Sequence, residues 1–182
     1  MRALLRSLCA AALSATLLPA LAADVGPYAE VTLGRTHYDV DCSLYFSCNG
    51  GRAGAGRIGG GYQFDVFALE GWLTEWGRAP LNDGFGGDHV RLRSWGVSGA
   101  WHWRISPAVQ GVGRVGAARV RQTRSTENFS NTEATLGLAL LVDVTPAVAV
   151  QLAWDATSST GGSSHVGTAL AQAVTGGVRL RF

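Results

Sequence analysis

The 182-residue chain contains no lysine: all fifteen basic residues are arginine, set against thirteen acidic ones, for a formal net charge of +2. So small an imbalance supplies no long-range field for nucleic acid, and no nucleic-acid partner is expected. Charged residues are scarce at 15%, while glycine is plentiful at 25 residues. That combination argues against a soluble helical protein and for a tightly curved sheet. Catalytic and metal-binding signatures are also missing. His37, His89, His102 and His165 form no HExxH or paired-cysteine spacing, so no metal and no cofactor is expected. The glycines at 54–56 and 59–61 are followed by no strand-to-helix turn, which excludes a phosphate loop. No apolar run is suited to a membrane helix. Segment 134–154 has the length, but Asp143 and Pro146 in its middle would break the helical ladder.

Arg2 and Arg6 precede an uncharged, mostly apolar run over 7–23, and Ala20-Leu21-Ala22 offers small residues for cleavage. This is the pattern of a secretory signal, so residues 1–22 are expected to be removed, leaving 23–182 as one domain. No cysteine stands close behind the cut, which argues against a lipid anchor. Cys9 leaves with the signal, and Cys42 and Cys48 remain within a polar stretch. In an oxidising compartment they are expected to form a disulfide that stiffens a loop.

The remainder alternates with period two. Val31 and Leu33, Ile58 and Phe64, Leu69 and Leu73, Trp95 and Val97 exemplify one face in the first half. Val115, Leu136 and Leu138, Val150 and Leu152, Val178 and Leu180 continue it in the second. Eight strands result, each of about ten residues. Short turns are expected at Asp65-Val66, 104–107 and 143–146, and long polar loops at 39–54, 77–90, 122–132 and 156–167. Three tight turns opposite four long loops describe an up-and-down meander, closed into an all-β, antiparallel, eight-stranded barrel.

The polar face carries Glu30, Arg57, Glu70, Arg114, Asp155 and Arg179 among Gly, Ala, Ser and Thr. Small residues and opposite charges suit the narrow interior of eight strands, whereas the Leu, Val, Ile, Phe and Trp face suits hydrocarbon. A transmembrane barrel is therefore expected, with Glu30, Arg57, Glu70, Arg114 and Arg179 as an interior network and Glu70 paired to Arg114 across the lumen. Tyr28, Tyr62, Phe64, Phe67, Trp101, Trp103 and Phe182 are expected to ring the turn-side rim, and Tyr38, Trp76, Trp95 and Trp154 the loop-side rim. Arg91, Arg93, Arg119, Arg121 and Arg124 cluster where the fourth expected strand leaves its loop and the fifth approaches the next. They are expected to meet lipopolysaccharide phosphates, which arginine grips with paired hydrogen bonds.

Gly60-Gly61-Tyr62-Gln63-Phe64, Ala68-Leu69-Glu70-Gly71 and Arg114-Val115-Gly116 resemble strands of the OmpA-like and OmpX/Ail-like eight-stranded outer-membrane proteins. Thr175, Gly177, Leu180 and Phe182 resemble the signal read by the barrel assembly machinery of that membrane. The resemblance covers the chain after the signal, without the periplasmic domain of full-length OmpA. It implies location in the cell outer membrane, a monomer, and lipid, lipopolysaccharide and a host or surface ligand as partners. A structural or adhesin-like role through external loops is expected, and no catalysis. The alternatives are a lipid A-modifying barrel enzyme and an exported soluble barrel that binds a ligand. The first is disfavoured because Val166-Gly167 follow His165 where the deacylase pattern needs serine and then asparagine.

Overall fold

The computed structural model describes residues 25–40, 51–81, 88–124, 127–159 and 169–182. The signal segment, Cys42, Cys48 and His165 lie outside these residues. Eight strands follow in order: β1 (Gly26–Val40), β2 (Arg52–Phe64), β3 (Phe67–Leu81), β4 (Asp88–Ser106), β5 (Val109–Arg124), β6 (Glu127–Thr145), β7 (Val148–Ser159) and β8 (Ala169–Arg181). Each pairs antiparallel with its chain neighbours, and β8 closes on β1. Closure gives every ladder group a partner, the condition for a sheet in hydrocarbon.

Strand lengths correct the sequence reading. They span 12 to 19 residues, not a uniform ten. β5 and β6 continue through most of 122–132, where polar composition signals a long loop, and only 125–126 separate them. The cause is that ladder pairing needs partners rather than hydrophobicity, so Thr123↔Asn128 and Arg124↔Glu127 extend the hairpin. The later short turns shift likewise: Ser106↔Val109 and Thr145↔Val148 pair, each beside a register shift. The first turn is Asp65-Val66, with Asp65 at φ 65°, a left-handed conformation that aspartate tolerates.

The register carried once round the barrel starts at Tyr28 and returns to β1 at Tyr38, ten residues further on. That stagger over eight strands corresponds to a tilt of about 40°. Outward residues are apolar, with Leu33, Leu69, Val97, Trp101, Val115, Leu136 and Leu152 all more than half exposed. Inward residues are polar or small, and the largest are packed against one another. This inside-out polarity is the architecture of a transmembrane barrel.

The expected aromatic rims form only in part. Tyr62, Phe64, Phe67, Trp101, Trp103 and Phe182 do face outward near the turn side, and Trp95 faces outward on the loop side. Tyr28, Tyr38 and Trp76 are instead buried inside. Their even-numbered positions share the face of Glu30 and Glu70, so strand parity overrides the preference of rings for an interface.

Candidate functional site

The interior is organised in three levels. In the middle, Glu30 receives Arg57, Arg114 and Arg179 at 3.3, 3.1 and 2.8 Å. Glu70 receives the same three guanidiniums at 3.4, 2.9 and 3.4 Å. Asp155 joins through Arg57 at 3.1 Å, so three carboxylates balance three guanidiniums. Tyr28 donates its hydroxyl to Glu70 at 2.5 Å, and Ser98 donates at 3.3 Å. Arg57 also lies over the Trp72 ring and Arg179 over that of Tyr28, adding cation–π contacts. Gly137 makes room for this belt. A Cβ there would fall 2.6 Å from Asp155 Oδ1 and 3.4 Å from Arg114 Cβ.

Loop-side of the belt sits an apolar plug of Tyr38, Trp72, Trp76, Leu92 and Val120. Its polar ends are bonded: Trp76 Nε1 donates to Ser94 Oγ at 2.7 Å, and Tyr38 donates to the Trp76 carbonyl at 2.8 Å. Turn-side lies a second cluster of Tyr28, Ala68, Ala100, Val112 and Leu141. His102 is buried on this side, and Arg181 pairs with Asp143 at 2.8 Å. Side chains therefore fill the lumen on both sides of the charged belt.

The outer rim is the other candidate. Two adjacent rows of outward residues cross β1 to β6. One runs Val31, Ile58, Leu73, Trp95, Arg119, Thr132, and the next Leu33, Gly56, Glu75, Arg93, Arg121, Ser130. At the tilt above, a row climbs about 3 Å per strand. Each row turns from apolar to polar as it climbs, the higher one after Gly56 and the lower one after Trp95. The line through these two switches marks the loop-side edge of the apolar belt.

Along that edge, Glu75 receives Arg91 at 2.8 Å and Arg93 at 2.5 Å. Arg119 Nε donates to Ser130 Oγ at 2.8 Å, and Arg121 is exposed. Arg124 pairs in register with Glu127, but its side chain lies outside the described residues. Two members of this patch are absent from the sequence reading. Glu75 shares the outward parity, yet it becomes meaningful only beside β4. Arg78 has inward parity until a bulge between Glu75 and Gly77 shifts the register; it then pairs with Arg91 and points out. Gly77, at φ 83°, is the local signal for that shift.

Thr175 and Gly177 of the expected assembly signal face inward, Thr175 buried, whereas Leu180 and Phe182 face outward.

No protein-family model matches the chain, and no curated protein does. Solved structures do. Neisserial surface protein A aligns over 86% of this chain and 97% of its own, with a TM-score of 0.67 and 18% identity. Ail, the attachment invasion locus protein of Yersinia pestis, solved with the heparin analogue sucrose octasulfate, aligns over 85% and 99%, with a TM-score of 0.52 and 16% identity. At such identities the likeness is one of fold.

Proposed function

We propose that this chain resides in a bacterial outer membrane and acts by contact through its loop-side face, as a structural or surface-interaction protein rather than an enzyme or a channel. The observation that carries this reading is the filled lumen. A neutral, mutually paired charge belt lies between two packed clusters, so among the described residues the lumen is occupied and only a narrow gap beside Arg57, Trp72 and Asp155 remains. What remains for function is the outside. The apolar wall suits lipid, and Arg91, Arg93, Arg119 and Arg121 at its upper edge suit the phosphates of lipopolysaccharide. The likeness to Ail, which was solved with a sulfated polyanion, is in keeping with an anionic surface ligand. Export by residues 1–22, a Cys42–Cys48 bridge and assembly through Phe182 complete the reading.

The experiment is a deletion strain complemented with the intact chain or with a barrel whose segments 41–50, 82–87 and 160–168 are replaced by short Gly/Ser linkers. Adhesion, serum survival and envelope stress are then measured. A phenotype rescued only by the intact chain supports action through the loop-side face. Equal rescue by the trimmed barrel overturns action through those segments and leaves only the wall and its arginine edge. Recovery of the native protein from the soluble periplasm overturns the location, and stepwise conductance in a planar bilayer overturns the closed lumen.

A further inference from the structure

We infer that the outer wall holds one phosphorylated acyl lipid in a two-part slot, its phosphate on Arg119 and Arg121 and an acyl chain in the hollow at Gly56. The inference rests on the reading that this wall faces lipid. The hollow measures about 800 Å³ and opens outward, with Leu33, Ile58, Leu73 and Trp95 on one side, the Glu75–Arg93 ion pair between, and Arg119 and Arg121 at its far end. Apolar and cationic halves are therefore parts of one depression.

The hollow exists because Gly56 has no side chain in an outward row between Leu33 and Glu75. A Cβ there would stand 3.3 Å from Leu33 Cδ2, closer than an ordinary contact, so a larger residue would push the Leu33 side chain aside and fill the depression. Charge is unevenly distributed along the rim. Glu75 takes Arg91 and Arg93, which neutralises part of the β4 charge. One carboxylate cannot cancel Arg78, Arg91 and Arg93, so a surplus remains there too, but it is on β5 that the Arg119 and Arg121 guanidiniums stand without any carboxylate beside them among the described residues. Among the described residues Arg121 has no carboxylate partner, and Arg119 uses only Nε on Ser130, leaving its terminal amino groups to a ligand.

Arg119 and Arg121 are two residues apart on one strand, hence about 7 Å between backbones, a span from which two guanidiniums can converge on one phosphate. The rows climb from Ile58 and Gly56 toward Arg119 and Arg121, so hydrocarbon lies below and phosphate above. A membrane lipid presents its parts in that order. A soluble polyanion would leave the apolar half unused, and a second copy would bring arginines against arginines.

The test uses the full mature chain in phosphatidylcholine nanodiscs, with retained lipid read by native mass spectrometry. Bisphosphorylated lipid A is the probe. Dephosphorylated lipid A, and soluble inositol hexakisphosphate added to discs without lipid A, are the controls. Variants are first checked for the heat-dependent gel shift of a folded barrel. Arg119→Gln with Arg121→Gln should lower lipid A retention by about tenfold or more, the scale of one lost charge-assisted contact. Gly56→Leu, which fills the hollow and leaves every arginine in place, should lower it comparably. Undiminished retention by Gly56→Leu overturns the slot and leaves an electrostatic rim. Undiminished retention by the arginine double variant overturns slot and rim together. Equal retention of dephosphorylated lipid A removes the phosphate half. Binding of inositol hexakisphosphate as tight as that of lipid A removes the acyl half.

Discussion

Two arginine–carboxylate clusters of similar composition sit on opposite faces of the same barrel wall. Inside, Arg57, Arg114 and Arg179 meet Glu30, Glu70 and Asp155 with side chains at most 10% exposed. On the rim, Arg91 and Arg93 meet Glu75 with side chains 35–58% exposed, at distances as short or shorter. Contact length would rank the rim pair first, but solvent reverses the order. An exposed pair replaces well-solvated charges with a slightly better arrangement and contributes little. The interior groups have already lost water, so each depends on its partners. The difference teaches that in this wall the worth of an ion pair is set by the face it occupies.

The largest expected effect breaks the interior cluster. Glu70→Ala would leave three guanidiniums sharing two carboxylates and should lower stability by about 3–5 kcal/mol, measured by denaturant unfolding in lipid vesicles. A loss below about 1 kcal/mol would mean that water already solvates the belt. Restoring the balance sharpens the point. Glu70→Leu combined with Arg114→Met keeps two carboxylates and two guanidiniums and should cost less than Glu70→Ala alone. If the double variant is the worse of the two, packing rather than charge governs the belt.

Next comes the device that assigns a side chain to one cluster or the other. Gly77 holds φ 83°, and a Cβ there would lie 2.2 Å from the Gly54 carbonyl oxygen. Gly77→Ala should cost about 1–3 kcal/mol through backbone strain, with hydrogen exchange rising on the loop side of β2 and β3. Uniform protection in the variant would show that the bulge is dispensable. The smallest effect is expected at the rim: Arg93→Gln should change stability by less than about 1 kcal/mol and chiefly alter its salt dependence. A loss equal to that of Glu70→Ala would erase the distinction between the two faces.

Legibility in the sequence follows the same division. Alternation is local, since successive side chains of a strand must point to opposite faces. It therefore assigns Glu30, Glu70 and Arg114 inward and Leu69, Val115 and Leu136 outward without knowledge of neighbours. It also holds the answer for Tyr28, Tyr38 and Trp76, which the expectation of an aromatic girdle obscured. Strand ends were harder to read, because composition marks where the wall leaves hydrocarbon while pairing decides where the ladder stops. The hairpin through Thr123 and Asn128 is polar and still a strand.

Period-two patterning and polarity by themselves determined that this chain closes into eight strands with its apolar face outward, because those properties belong to single strands. Which residues meet was decided only by the tertiary structure. The ten-residue stagger brings Arg114 of β5 to Glu30 of β1 and Glu70 of β3 across the lumen. The same stagger lines Gly56 of β2 with Arg93 of β4 and Arg121 of β5 on one climbing row. The bulge beside Gly77 then turns Arg78 outward against its sequence parity. Stagger and bulge are properties of the closed ladder, set when all eight strands pair at once, and no one strand carries them.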